Sequence, residues 1–393
     1  MSRLASLTIC SAFLAACSTS SEDEKSTSAT TATIEDGTSD GSEGDSDGDG
    51  GGDDGAGDDG AGDDGTTEDT GAAPSAIWVL PDADVGTLIG DGEYTSVNGT
   101  IESASIAEPI AMAFSPDGDL YIAEAMGNLR KLDAEGNLST LYLDFDLLRP
   151  TGIAFDAEGV MYVADGDLDC IVQVIDESVR PFAGSCGVTG HQDGSPGLFN
   201  LPRGLSFTAS GDLLVADSEN MRLRSVNPEG VVSTLAGYGD FTGPTEGAAL
   251  SASVYLPFAV FEDSDGTIWF SGMDHCIRRL VDGQVENVAG LCSNYGNTGT
   301  IDGSAGEARF DSPWGLVMEA DGTMLISDAF NDRIRTLSPD RTTVATVTGS
   351  GSGFADGTLD EALFYIPRGI AVHPDGWVAV ADSSNHRVRY IRR

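Results

Sequence analysis

Positive charge is scarce in this chain: 20 lysines and arginines stand against 64 aspartates and glutamates in 393 residues, a formal net charge of −44. Nucleic acid is thereby excluded as an expected partner, because its affinity comes mainly from cations that displace counterions on phosphates. Histidine is also rare, at four residues, and the six cysteines include no Cys-x-x-Cys. A zinc centre needs about three converging ligands and, for catalysis, an open position, so no metal or other cofactor is expected. The apolar run within Met1–Ala16 is too short to span a bilayer as a permanent helix. Residues 18–75 lack aromatic side chains and hold few aliphatic ones, with 18 acids against one base, Lys25. Such a segment buries too little apolar area to offset its ordering entropy.

The amino terminus carries Arg3, a stretch of Leu, Ala, Ile and Phe, then Leu14-Ala15-Ala16-Cys17. One positive charge, a short apolar core and small residues before a cut make a signal peptide, residues 1–16. Leu-Ala-Ala-Cys resembles the bacterial lipobox, which implies lipidation of Cys17 and anchoring by acyl chains; two or more are needed for a firm hold. In that family Ser18 after the cysteine is read as favouring the outer membrane, facing the periplasm or the cell surface. Residues 17–75 then form a lipidated cysteine and a disordered acidic linker, a coil of roughly 40 Å root-mean-square span before charge repulsion extends it. Asp45, Asp47, Asp49 and Gly50 copy the first half of a calcium loop, but Ala56 stands where the bidentate glutamate belongs.

From residue 109 onward the chain repeats. Pro109, Pro150, Pro202, Pro257, Pro313 and Pro367 are each followed nine residues later by Gly118, Gly159, Gly211, Gly266, Gly322 and Gly376. Six residues after those glycines come Glu124, Asp165, Asp217, Gly272, Asp328 and Asp382. Each copy reads as four short strands joined by tight turns, at a period of 41 to 56 residues. That is the pattern of an all-β, six-bladed propeller of four-stranded antiparallel blades over residues 76–393. The sixth copy ends after its third strand, whereas Val85–Gly90 matches fourth-strand segments such as Ser233–Gly237. The N-terminal segment is therefore expected to supply the outer strand of the last blade, closing the ring without an open sheet edge.

The segments Asp217-Ser-Glu-Asn220-Met-Arg222-Leu-Arg224, Asp328 to Arg335 and Asp382 to Arg389, with Asp193-Gly194, Phe199 and Pro202-Arg203-Gly204, resemble NHL repeats. The resemblance covers nearly all of residues 85–393 and implies a six-bladed propeller, a fold that hosts varied functions.

Cys170 with Cys186 and Cys276 with Cys292 are each separated by 16 residues around a strand turn, so antiparallel pairing brings each pair within disulfide reach. Two disulfides imply an oxidising, extracytoplasmic setting. Asp217 with Arg222, Asp328 with Arg333 and Asp382 with Arg387 are expected to form charge-assisted pairs that orient the loop between the second and third strands. His275 and His386 fall at a position expected to be exposed, and His373 in a turn on the opposite face.

The residues after the six prolines, Ile110, Thr151, Arg203, Phe258, Trp314 and Arg368, are expected to ring the channel mouth. Arg203 and Arg368 come from opposite blades and Phe258 and Trp314 from neighbouring ones. Cations beside aromatic surfaces suit a carboxylate-bearing or glycan-like ligand. The expectation is a monomeric, lipid-anchored binding or scaffolding module for an extracytoplasmic protein, glycan or small anion. The alternative is a metal-assisted enzyme of the lyase or lactonase kind, an analogy at the level of fold; no catalytic residue is assigned.

Overall fold

A computed structural model describes residue 80 and residues 82–240, 243–293 and 296–393. The signal segment, Cys17, the acidic linker and the partial calcium loop lie outside the described residues. Blade one is built from Pro109–Phe114, Leu120–Glu124, Leu129–Leu132 and Asn137–Thr140, and the described residues form six such antiparallel sheets. The sixth comprises Pro367–Val372, Val378–Asp382, Arg387–Ile391 and, outermost, Val85–Ile89. The all-β, six-bladed architecture with a shared last blade is thus as the sequence implies. Among the described residues no helix is long and apolar enough to cross a membrane.

Blades one, four and five gain a fifth strand of two residues, Gly99–Thr100, Gly247–Ala248 and Gly303–Ser304, from the linker that enters each blade. In blades three and six a single residue does the same, with Gly194 facing Val232 and Gly357 facing Val85. The glycine of the Asp-Gly signature is therefore where the linker docks on the outermost strand. At Gly357 the backbone takes φ 147°, which a side chain resists.

The core is split into six wedges, each shared by adjacent sheets. One joins Leu214, Ala216 and Leu223 to Val260, Phe270 and Val285; another joins Leu88 and Ile89 to Leu120, Leu138 and Tyr390. Alternating strands place one apolar row on each face, so every blade is glued to both neighbours. Both disulfides form, Cys170–Cys186 and Cys276–Cys292, each tying the start of a third strand to the end of a fourth. For loops of this length each contributes about 3 kcal/mol.

Candidate functional site

The entry to each inner strand is fixed before its side chains can form a mouth. The acid closing the second strand accepts the N–H two residues before the entry proline: Asp217 from Asn200 at 2.9 Å, Asp328 from Asp311 at 2.7 Å, Asp382 from Tyr365 at 2.8 Å and Glu124 from Ala107 at 3.0 Å. The next N–H is donated to the preceding blade. Leu201 donates to Asp169 at 2.8 Å, Ser312 to His275 Nδ1 at 3.0 Å, Ile366 to Asp332 at 2.8 Å and Glu108 to His386 Nδ1 at 3.2 Å. These acceptors occupy left-handed backbone, with φ between 52° and 59°. The expectation of an exposed position for His275 and His386 is corrected here. His275 is 8% exposed, His386 is half-buried, and both pin one blade to the next because a left-handed residue at this corner aims its side chain across the gap.

The arginine pairing also differs from expectation. Asp217 binds Arg224, Asp328 binds Arg335 and Asp382 binds Arg389, at 2.5, 2.9 and 2.9 Å between fully buried groups. Arg222 instead donates to the carbonyls of Asn220 and Tyr238, and Arg387 to those of Asn385 and Asp91. The deeper arginine wins because it alone also reaches the entering linker: Arg224 donates to the Leu198 and Gln192 carbonyls and to Asp193. Arg130 with Glu124 repeats this in blade one. In blade four, where Gly272 replaces the acid, Asp274 takes Arg278 at 3.2 Å. Blade two has Val172 at this place, a short linker and no Asp-Gly, so Asp165 serves backbone N–H groups of Leu148, Arg149, Asp167 and Leu168 alone. Burial pushes the carboxyls of Asp217, Asp328 and Asp382 up to about 6, against the opposing pull of their arginines and hydrogen-bond donors.

The glycine of Pro-x-Gly lets neighbouring inner strands approach closely. A side chain at Gly204 would stand 2.6 Å from the Phe258 carbonyl oxygen, and Gly152, Gly315 and Gly369 face Arg203, Arg368 and Ile110 carbonyls in the same way. The residue between Pro and Gly is left at the mouth. Phe258 and Trp314 stack, with centroids 4.4 Å apart and planes 15° from parallel. The guanidinium of Arg203 lies 4.7 Å from the Trp314 centroid and 5.2 Å from that of Phe258, and Arg368 lies 5.0 Å from Trp314. The two cations from opposite blades therefore converge on one indole, where the sequence places them facing across an opening. Arg368 also pairs with Glu108 at 2.8 Å. Thr151 is buried, donating to the carbonyls of Ala164 and Pro202, so its hydroxyl joins blades two and three. Ile110, Thr151, Phe258 and Trp314 lead into a cavity of about 570 Å³ whose wall includes Met112, Val260 and Ile370.

Glu108 was not singled out in the sequence. A signal was present: among the residues before the entry prolines, Arg149, Leu201, Leu256, Ser312 and Ile366 accompany it, and it alone is acidic. Among the described residues no three His, Cys, Asp or Glu side chains converge as metal ligands. His373 packs instead against Trp377 and Phe114, at 4.7 and 5.0 Å between ring centroids.

Six sheets around a channel, with a cationic and aromatic mouth, define a six-bladed β-propeller. Two segments, residues 199–224 and 364–389, match the NHL repeat. A curated relative, the chloroplastic protein SUPPRESSOR OF QUENCHING 1 of Arabidopsis thaliana, is 29% identical over 280 residues, covering 53% of this chain and 26% of its own length. This chain thus spans about a quarter of that relative. An auxiliary nutrient binding protein from Bacteroides thetaiotaomicron superposes with a TM-score of 0.63 at 18% identity, over 78% of this chain and 76% of the other. A gluconolactonase of Xanthomonas campestris superposes at 0.52 with 12% identity, over 79% and 90%. Both likenesses are of fold.

Proposed function

We propose that this chain is an extracytoplasmic binding module whose ligand enters at the channel mouth and is held by Arg203, Arg368, Phe258 and Trp314. The observation that carries the reading is the convergence of two guanidinium groups on one stacked aromatic pair, Phe258 and Trp314, which itself lines a cavity of about 570 Å³, a size that accommodates one small molecule. The name of the Bacteroides neighbour, an auxiliary nutrient binding protein, is consistent with it. The two disulfides fit an oxidising compartment. On the lipobox resemblance, Cys17 anchors the chain to the outer membrane and residues 18–75 tether the propeller to it. Membrane fractionation tests the anchor: Cys17→Ser is expected to move the chain to the soluble fraction, and unchanged pelleting refutes it.

Thermal-shift screening of the full chain with small acids and sugars tests the mouth. A ligand that binds only the folded state at 100 times its Kd stabilises by about 2.7 kcal/mol. That stabilisation is expected to vanish in Arg203→Gln/Arg368→Gln, and its survival there would place the binding site elsewhere.

A further inference from the structure

Glu108 is held by its main chain and loosely engaged by its side chain. Its N–H is donated to His386 Nδ1 at 3.2 Å and its carbonyl accepts from Ala125 at 3.1 Å. The carboxylate, 27% exposed, rests on Arg368, itself 14% exposed. This is one ion pair at the rim of the mouth, open to solvent on the Glu108 side. The guanidinium, shielded by Trp314, nevertheless calls for an anion, and a bidentate carboxylate matches its geometry best. We propose that Glu108 is an internal stand-in: the mouth takes the carboxylate of a small organic acid, which displaces the Glu108 side chain from Arg368 while the body of the acid enters the cavity.

This inference rests on the mouth being the binding site. It narrows the ligand to monomeric acids, because a chain with 46 acids and 18 bases in residues 76–393 repels polyanions at long range, and only local groups attract. Exchanging one carboxylate for another leaves the charge on Arg368 compensated throughout, so ligand entry exposes no unpaired cation.

Calorimetric titration of the full chain with benzoate and glutarate, at fixed ionic strength, tests it. Glu108→Gln removes the competing charge, keeps the backbone contacts, and is expected to bind about tenfold tighter than the parent. Arg368→Gln is expected to lose binding, and methyl benzoate to bind none of the proteins. Equal affinities for parent and Glu108→Gln, with binding still abolished in Arg368→Gln, would overturn the stand-in and leave the mouth reading intact. Absence of binding by every protein, including Glu108→Gln, would overturn both.

Discussion

Arg222 and Arg224 lie two residues apart on one strand, and strand alternation points both to the same face of the sheet. Their energetic roles are nonetheless opposite. Arg224 and Asp217 are both fully buried; removing Arg224 leaves Asp217 an uncompensated charge, and removing Asp217 leaves Arg224 with only the exposed Asp193, changes that cost up to about 3–5 kcal/mol. Arg222 reaches two carbonyls near the surface, bonds whose loss typically costs about 1 kcal/mol each or less. Asp217→Ala and Arg224→Ala are therefore expected to lower the urea midpoint strongly and Arg222→Ala weakly; the reverse order would refute the pairing. Spacing alone favoured the wrong arginine because both recur in blades three, five and six. The decisive signal lay in the irregular blades. Arg130 and Arg278 mark the deep position, and two residues before them, at the place of Arg222, blades one and four have Asn128 and Cys276.

Between elements, four of the blade joints share a hydrogen bond from the N–H just before an inner strand to the preceding blade. Aspartates make it from blades two and five, at Asp169 and Asp332, and histidines from blades four and six, at His275 and His386. Burial lowers the pKa of His386 below the usual histidine value, and the neighbouring Arg387 adds to that, while Glu108, Glu93 and Asp91 pull the other way; the Tyr94 ring packs edge-on at 5.1 Å. A depressed folded pKa means that the unfolded chain takes up the proton first as pH falls. The contribution of His386 is therefore complete above about pH 6.5 and is lost progressively below it. Asparagine tolerates left-handed backbone and offers an accepting oxygen without a titrating group. His386→Asn is expected to melt close to the parent at pH 7 and to lose less stability between pH 7 and 5, read by thermal unfolding at each pH. An unchanged pH slope would remove His386 from the joint. The repeat period, the strand turns and the disulfide partners were legible because each is a local pattern. These joints were not, because the acceptor and donor lie about 32 to 37 residues apart within the chain, or 278 across the closure.

At the scale of the whole ring, stability depends on one strand that arrives from the far end of the chain. Val85 pairs with Ile391, Gly86 with Tyr390, Thr87 with Arg389 and Ile89 with Val388. Gly86 is required because the Tyr390 ring lies where a side chain would project. Beyond the sheet, the Arg392 N–H donates to the Asp84 carbonyl at 2.7 Å, and its guanidinium to that of Leu80 at 2.7 Å. Val85, Leu88 and Ile89 are 0, 3 and 0% exposed, and burying such side chains is worth about 1.5–3 kcal/mol each. Their sum is comparable to the 5–15 kcal/mol by which a typical domain is stable at all. Removing residues 82–92 would also strip the covering from the Arg387–Ile391 edge, an invitation to intermolecular pairing. The deleted chain is expected to melt at least 10 °C lower, since each kcal/mol moves the midpoint by about 2–4 °C in a domain of this size, and to aggregate on heating. Removing residues 18–75 instead is expected to leave the midpoint in place, which separates loss of closure from loss of length. Adding a peptide of residues 80–92 to the first variant is expected to recover part of the drop, because the vacated edge offers the same register; an unshifted midpoint on deletion would mean that the ring holds without its closing strand.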